Sequence, residues 1–139
     1  MKHASFIFRS VLAGTVLFAA CKKSNLADGP VNVGGYLSSG TWRVAQFASG
    51  GQDVTPQFNN YSLTFASTGT LTVSDSTNTA TGNWGAGIVD GVSKVSMLFP
   101  ATSTFQQLSK DWNVQNASEN SVELSDTSSG GQNLLLERN

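Results

Sequence analysis

Histidine and cysteine are almost missing from this chain of 139 residues. There is one of each, His3 and Cys21, and both lie within the first 21 positions. Everything after residue 21 therefore lacks an imidazole and a thiol. A structural zinc site draws its ligands mainly from those two side chains, so the sequence excludes one there. A disulfide within that part is excluded as well. The many serines and threonines lack the histidine that activates a hydroxyl nucleophile, and nothing places Lys94 or Lys110 beside one instead. Charge is scarce too, at 12% of residues, about half the usual share. Lys2 and Arg9 are the charged residues of the first twenty. The rest carries six basic and nine acidic residues, a net charge of -3. No basic stripe exists to follow a phosphate backbone, which argues against nucleic acid as a partner. Phosphate-binding loops, dinucleotide fingerprints and Gly-x-Ser-x-Gly elbows are absent. No cofactor is implied, and the chain reads as a non-enzyme.

What the chain does have begins at its start. Residues 1–10 carry Lys2 and Arg9. Residues 11–20, VLAGTVLFAA, are apolar and small, and Cys21 follows directly. A basic start, a short apolar core and small residues before a cut make an export signal. Ten apolar residues are too few to cross a hydrocarbon core of about 30 Å as a helix. The stretch Leu17-Phe18-Ala19-Ala20-Cys21 resembles the lipobox of bacterial lipoproteins, with Phe18 where that family usually has leucine. The resemblance implies cleavage between Ala20 and Cys21, lipidation of the Cys21 thiol, and a membrane as partner through that anchor. Several acyl chains anchor stably where a single chain is marginal. Lys22 and Lys23 come next and suit anionic headgroups. In those lipoproteins an aspartate after the cysteine signals inner-membrane retention. Lys22 stands there instead, so the expected location is the cell envelope, with the outer membrane favoured.

Residues 1–20 are thus expected to be the signal, residues 21–39 the lipidated cysteine and a flexible tether, and residues 40–139 the folded domain. Ser, Asn, Gly and Lys dominate residues 22–40, a composition that suits a linker. Beyond it, short alternating segments recur. Thr41–Phe47 puts Trp42 and Val44 on one face. Tyr61–Ala66 sets Leu63 and Phe65 against Ser62 and Thr64. Thr70–Asp75 turns Leu71 and Val73 inward, and Ser93–Phe99 does the same with Val95, Met97 and Phe99. Ala80–Ala86, Asp111–Gln115, Ser121–Asp126 and Gln132–Arg138 complete the set. Alternation over four to eight residues between turns is the mark of half-buried strands. Gly85 to Gly91 is expected as a loop. Residues 101–109 are expected to hold a short helical turn bearing Phe105 and Leu108. The fold class predicted is all-β: an antiparallel meander of about eight short strands closed into a barrel.

Gly40-Thr41-Trp42, Gly51-Gln52-Asp53-Val54-Thr55, Leu63-Thr64-Phe65, Gly69-Thr70-Leu71 and Gly82-Asn83-Trp84 occur in that order. The series resembles small lipocalin-like domains of bacterial lipoproteins, over roughly residues 40–139. The resemblance implies a lipocalin-like β-barrel, a first tryptophan plugging its closed end, and a capacity for small apolar ligands. The candidates for core or pocket lining are Trp42, Phe65, Trp84, Met97 and Trp112. An eight-stranded barrel can be filled by its own side chains or can hold one small molecule. With this many large inward residues, the expected site is a small apolar pocket at the open end, rimmed by Ser, Thr and Asn. A reading of a different class makes the chain an accessory protein of the envelope. Phe47, Phe58, Tyr61 and Trp112 then lie on the surface for a protein or glycan partner. Asp75, Asn78 and nearby threonines offer oxygen ligands for calcium, but their spacing is not that of an EF-hand loop, and no metal is expected.

Overall fold

Alternation along the chain is realised as nine strands in a computed structural model that describes residues 32–126 and 131–139. The expected export signal, Ala20, Cys21 and the expected tether as far as residue 31 lie outside the described residues. The strands are β1 (Trp42–Ser49), β2 (Gln52–Asp53), β3 (Ser62–Phe65), β4 (Thr70–Ser74), β5 (Thr79–Val89), β6 (Val92–Leu98), β7 (Lys110–Ala117), β8 (Ser121–Asp126) and β9 (Gln132–Arg138). Each strand is antiparallel to its neighbours, and the two-residue β2 pairs only with the end of β1. β1 also pairs with β9, from Trp42 opposite Arg138 to Ser49 opposite Gln132. That pairing closes an eight-stranded, lipocalin-like barrel. Closure pairs β1 with β9 instead of leaving each as a free edge.

The inward positions are largely those the alternation predicts. Trp42, Leu63, Phe65, Leu71, Val73, Val95, Met97, Phe99, Val122 and Leu124 are all buried, while Trp84 and Val114 are half-buried. Two strands break the simple parity. A bulge falls between Val44 and Gln46 on β1. Strict alternation would send Gln46 inward; the extra residue resets the count and buries Phe47 instead. β7 has the same irregularity between Val114 and Asn116, and after it Ala117 packs on the core.

Two expectations need correction. Gly85 to Gly91 is no loop: β5 runs through to Val89, with Gly85, Ala86 and Gly87 opposite Ser96, Val95 and Lys94. The turn is only Asp90-Gly91, between the paired Val89 and Val92, with φ of 52° and 79°. Positive φ at both central residues is the twist-matched hairpin turn for which Asp-Gly is suited. The second correction concerns the end of the expected tether. Val33–Leu37 forms a short helix, α1, with Val33 and Leu37 buried. Its two glycines make it a poor helix by propensity. It is held by an N-cap, the Asn32 Oδ1 accepting from the Gly35 amide at 3.0 Å, and by packing against β5 and β7.

The helix seals one end of the barrel. Trp42 donates its indole N–H to the Leu37 carbonyl at 3.0 Å. Arg138 lies over the Trp42 ring, 4.9 Å from its centroid. Its guanidinium also donates to the carbonyls of Ser39, Tyr36 and Glu119. The expected plugging role of the first tryptophan is therefore realised, with α1 as the cover.

Candidate functional site

The opposite end is closed by aromatic rings. A 3₁₀ turn over Thr55–Phe58 follows β2, and another, Gln106–Leu108, precedes β7. The second turn places Phe105 and Leu108 in the core, as the sequence predicts. Phe47 meets Phe58 with centroids 5.5 Å apart and Trp112 at 6.0 Å, both edge-on. Phe105 touches Phe58, Tyr61 and Phe99 at 6.1, 5.0 and 5.9 Å. Trp112 donates its indole N–H to the Leu108 carbonyl at 3.0 Å, and Lys110 Nζ stands 5.1 Å from its ring. Lys110 also faces Asp126 at 3.4 Å, where both side chains are largely sheltered.

This arrangement corrects the surface role considered for the aromatics. Phe47, Phe58 and Trp112 are buried and Tyr61 is half-buried, so they do not form an exposed stacking face. Burying each ring removes roughly 150–250 Å² from water, and edge-on pairs add about 0.5–1.5 kcal/mol. Of the five candidate core or pocket residues, Trp42, Phe65, Met97 and Trp112 fill the interior. Trp84 sits half-buried, edge-on to Phe65 at 5.2 Å, its indole N–H given at 2.8 Å to the Ala66 carbonyl in the β3–β4 turn. With these side chains in place, the structure brings the candidates together as a packed core rather than as a pocket lining.

The open space lies outside the aromatic cap. A cleft of about 540 Å³ runs between the β4–β5 turn and the loop after β6. Its apolar floor is Val73, Ala80, Pro100 and Phe105, with Tyr61 beside it. Its rim is Asn78, Thr79, Thr81, Thr102, Ser103 and Thr104. A volume in the range of about 300–1,000 Å³ suits a small organic ligand. The rim had not been named residue by residue from the sequence. Its signal is the polar run Thr102-Ser103-Thr104 shortly after Phe99-Pro100, where a proline ends the strand and leaves the next residues to make a loop.

Asp75 braces its own turn. Its Oδ1 accepts from the amides of Thr77 and Asn78 at 2.8 and 2.6 Å and so holds the turn beside the cleft. Those backbone hydrogen bonds hold its carboxyl below the ordinary value of 3.8. Asp53 is lowered likewise, first by the Thr55 hydroxyl, which donates at 2.5 Å, then by the Thr55 amide. That same hydroxyl accepts from the Phe47 amide at 2.8 Å, pinning the cap to β1. Among the described residues, no three His, Cys, Asp or Glu side chains gather as a metal site.

The lowered carboxyls carry a pH prediction. A folded pKa below the unfolded one adds stability that is present above about pH 3.8 and is lost as pH falls through the folded value. The double variant Asp53→Asn, Asp75→Asn keeps the acceptor oxygens and removes the charges. Its urea midpoint should fall less than the wild type's between pH 5 and pH 3. An equal fall would show that these turns do not contribute to acid stability.

No family model matches the chain, and no curated protein matches its sequence. Among solved structures, a DUF4847 family protein from Bacteroides vulgatus is similar, with a TM-score of 0.55 at 18% identity. The match covers 78% of this chain and 98% of that one. At that identity the likeness concerns the fold, and it supports the closed barrel.

Proposed function

We propose that the chain is a non-catalytic lipoprotein of the cell envelope that takes a small ligand weakly in the cleft at the free end of its barrel. The observation that carries this reading is the placement of open space. The interior is filled by Trp42, Phe47, Phe65, Met97 and Trp112, and the cleft at the free end offers about 540 Å³ outside that packing. The cleft combines an apolar floor with hydroxyl and amide groups along its edge. That suits a molecule with an apolar body and a polar edge. It lies at the end opposite α1, where the described chain begins, and so points away from an anchor at Cys21.

A rim cleft covers a ligand less completely than a barrel interior. Affinity is therefore expected to be micromolar or looser, near −8 kcal/mol at best. The test is a titration of the Cys21→Ser chain, which carries no thiol for lipidation, with fatty acids, alkyl glycosides and apolar dyes. Saturable micromolar binding should disappear in a Thr102→Arg variant, which fills the cleft from an exposed position. It should survive Ile88→Ser at the other end. Nanomolar affinity, binding unaffected by Thr102→Arg, or no binding across the panel would each refute the reading.

A further inference from the structure

The β5–β6 hairpin ends in an exposed apolar tip. Ile88 is 52% exposed, Val89 51% and Val92 41%. Val89 and Val92 face each other across the ladder, and Ile88 is one pair further in. From Gly85 to Val89 every residue of β5 is exposed, whichever face it takes. β4 pairs with β5 only as far as Asn83. The tip therefore projects beyond the end of β4, with α1 against its base.

Its position matters as much as its composition. Antiparallel order puts the tip at the same end as Trp42 and Arg138. Asn32, Val33 and Gly34 line one groove of about 470 Å³ with Ala86, Gly87 and Ile88. The first described residue thus lies beside the hairpin. Cys21 is eleven residues upstream of Asn32, a chain that spans at most about 40 Å when extended.

We propose that the tip of this hairpin is a membrane-contact element: Ile88, Val89 and Val92 dip into the headgroup–acyl boundary of the bilayer that holds the Cys21 anchor. The proposal rests on the lipoprotein reading. A lipid surface fits better than a protein partner because apolar side chains are exposed on both faces of a narrow projecting ribbon, which lipid can surround. Three aliphatic residues also make too small a patch for a stable protein interface. Beside an anchor, such a patch needs little intrinsic affinity, because tethering makes its contact intramolecular. Insertion is shallow. Asp90 occupies the turn, and the unpaired edge of β5 must stay among polar headgroups, since bare backbone groups are costly in hydrocarbon.

The test uses the full acylated chain in phosphatidylcholine vesicles. An Ile88→Cys variant is labelled with an environment-sensitive fluorophore; the Cys21 sulfur is consumed in its thioether and takes no label. Thr102→Cys, exposed at the far end, is the control. The Ile88 label should brighten several-fold, shift to the blue and be quenched by nitroxides on the lipid near the headgroups. The Thr102 label should do none of these. An Ile88 label as wet as Thr102, in protein that carries its acyl mass and floats with vesicles, would overturn the proposal and leave the anchor standing. Shielding of Ile88 by a second copy, seen as label-to-label transfer without quenching by lipid nitroxides, would overturn it as well. Protein without acyl mass that fails to float would remove both the anchor and the hairpin contact.

Discussion

Alanine in place of Trp42 lowers the free energy of unfolding by about 3–5 kcal/mol, the usual cost of truncating a buried tryptophan. Three contributions act in one direction. The ring is fully buried at the base of the barrel, so its removal leaves a large cavity. The Leu37 carbonyl loses its indole donor, and a buried acceptor left without a partner costs about 1–3 kcal/mol. Arg138 loses the ring beneath its guanidinium. For a domain whose total stability is about 5–15 kcal/mol, such a loss brings unfolding within reach of mild conditions. Trp42→Phe separates the contributions, because it keeps most of the volume and removes the donor. It should cost about 1–3 kcal/mol. The measurement is urea denaturation followed by far-UV circular dichroism, which does not depend on the deleted fluorophore. A loss below about 1 kcal/mol for Trp42→Ala would mean that α1 and Trp42 do not close this end.

Serine in place of Cys21 is expected to move the protein wholly from the membrane fraction to the soluble fraction of the envelope. The wild type should carry the mass of its acyl chains, and the variant should carry none. The effect is all or none for a physical reason. Even one acyl chain gives only marginal, reversible attachment, with a binding constant of about 10⁴ M⁻¹. Without any chain, the three aliphatic residues of the hairpin tip fall well short of that. The cleft should bind its ligand equally well in the released variant, because it lies at the far end of the barrel. Membrane partition of the variant, together with a wild type lacking acyl mass, would end the lipoprotein reading.

The strands whose parity was readable are those with uninterrupted alternation. In Leu63-Thr64-Phe65, Leu71-Thr72-Val73 and Val95-Ser96-Met97 the apolar residues repeat every second position, and burial follows that period. β1 shows where local reading stops. Trp42-Arg43-Val44-Ala45-Gln46-Phe47 alternates well enough to place Gln46 inside, yet Phe47 is the buried residue. A bulge is settled by how β1 meets both β3 and β9 during closure, and no single strand contains that information. The glycines of β5 misled in another way. Gly85 and Gly87 read as loop residues, but a ladder tolerates glycine when the opposite strand and a two-residue turn fix the register. The Asp90-Gly91 signal was present and outweighed them. Helix α1 was unreadable because Val33-Gly34-Gly35-Tyr36-Leu37 has little helical tendency of its own. The Asn32 cap, packing on β5 and β7, and Trp42 and Arg138 at the Leu37 and Tyr36 carbonyls hold it.

The three tryptophans mark the same boundary between pattern and packing. Each gives its indole N–H to the carbonyl of a segment outside its own strand: Leu37, Ala66 and Leu108. A large ring with one polar atom belongs where a core meets a loop, and the sequence marks all three tryptophans as candidates for core or pocket. It does not indicate which loop each one holds.

By itself the sequence determined the short apolar run before Cys21, the absence of imidazole and thiol beyond it, and the β-character of the rest, because composition and period-two alternation are local properties. Tertiary structure decided whether the barrel is hollow or filled. Phe47, Phe58, Phe105 and Trp112 come from segments far apart in the chain and meet only when β1 closes on β9. Whether rings from distant positions fill a volume or line it depends on that closure, which no local pattern encodes.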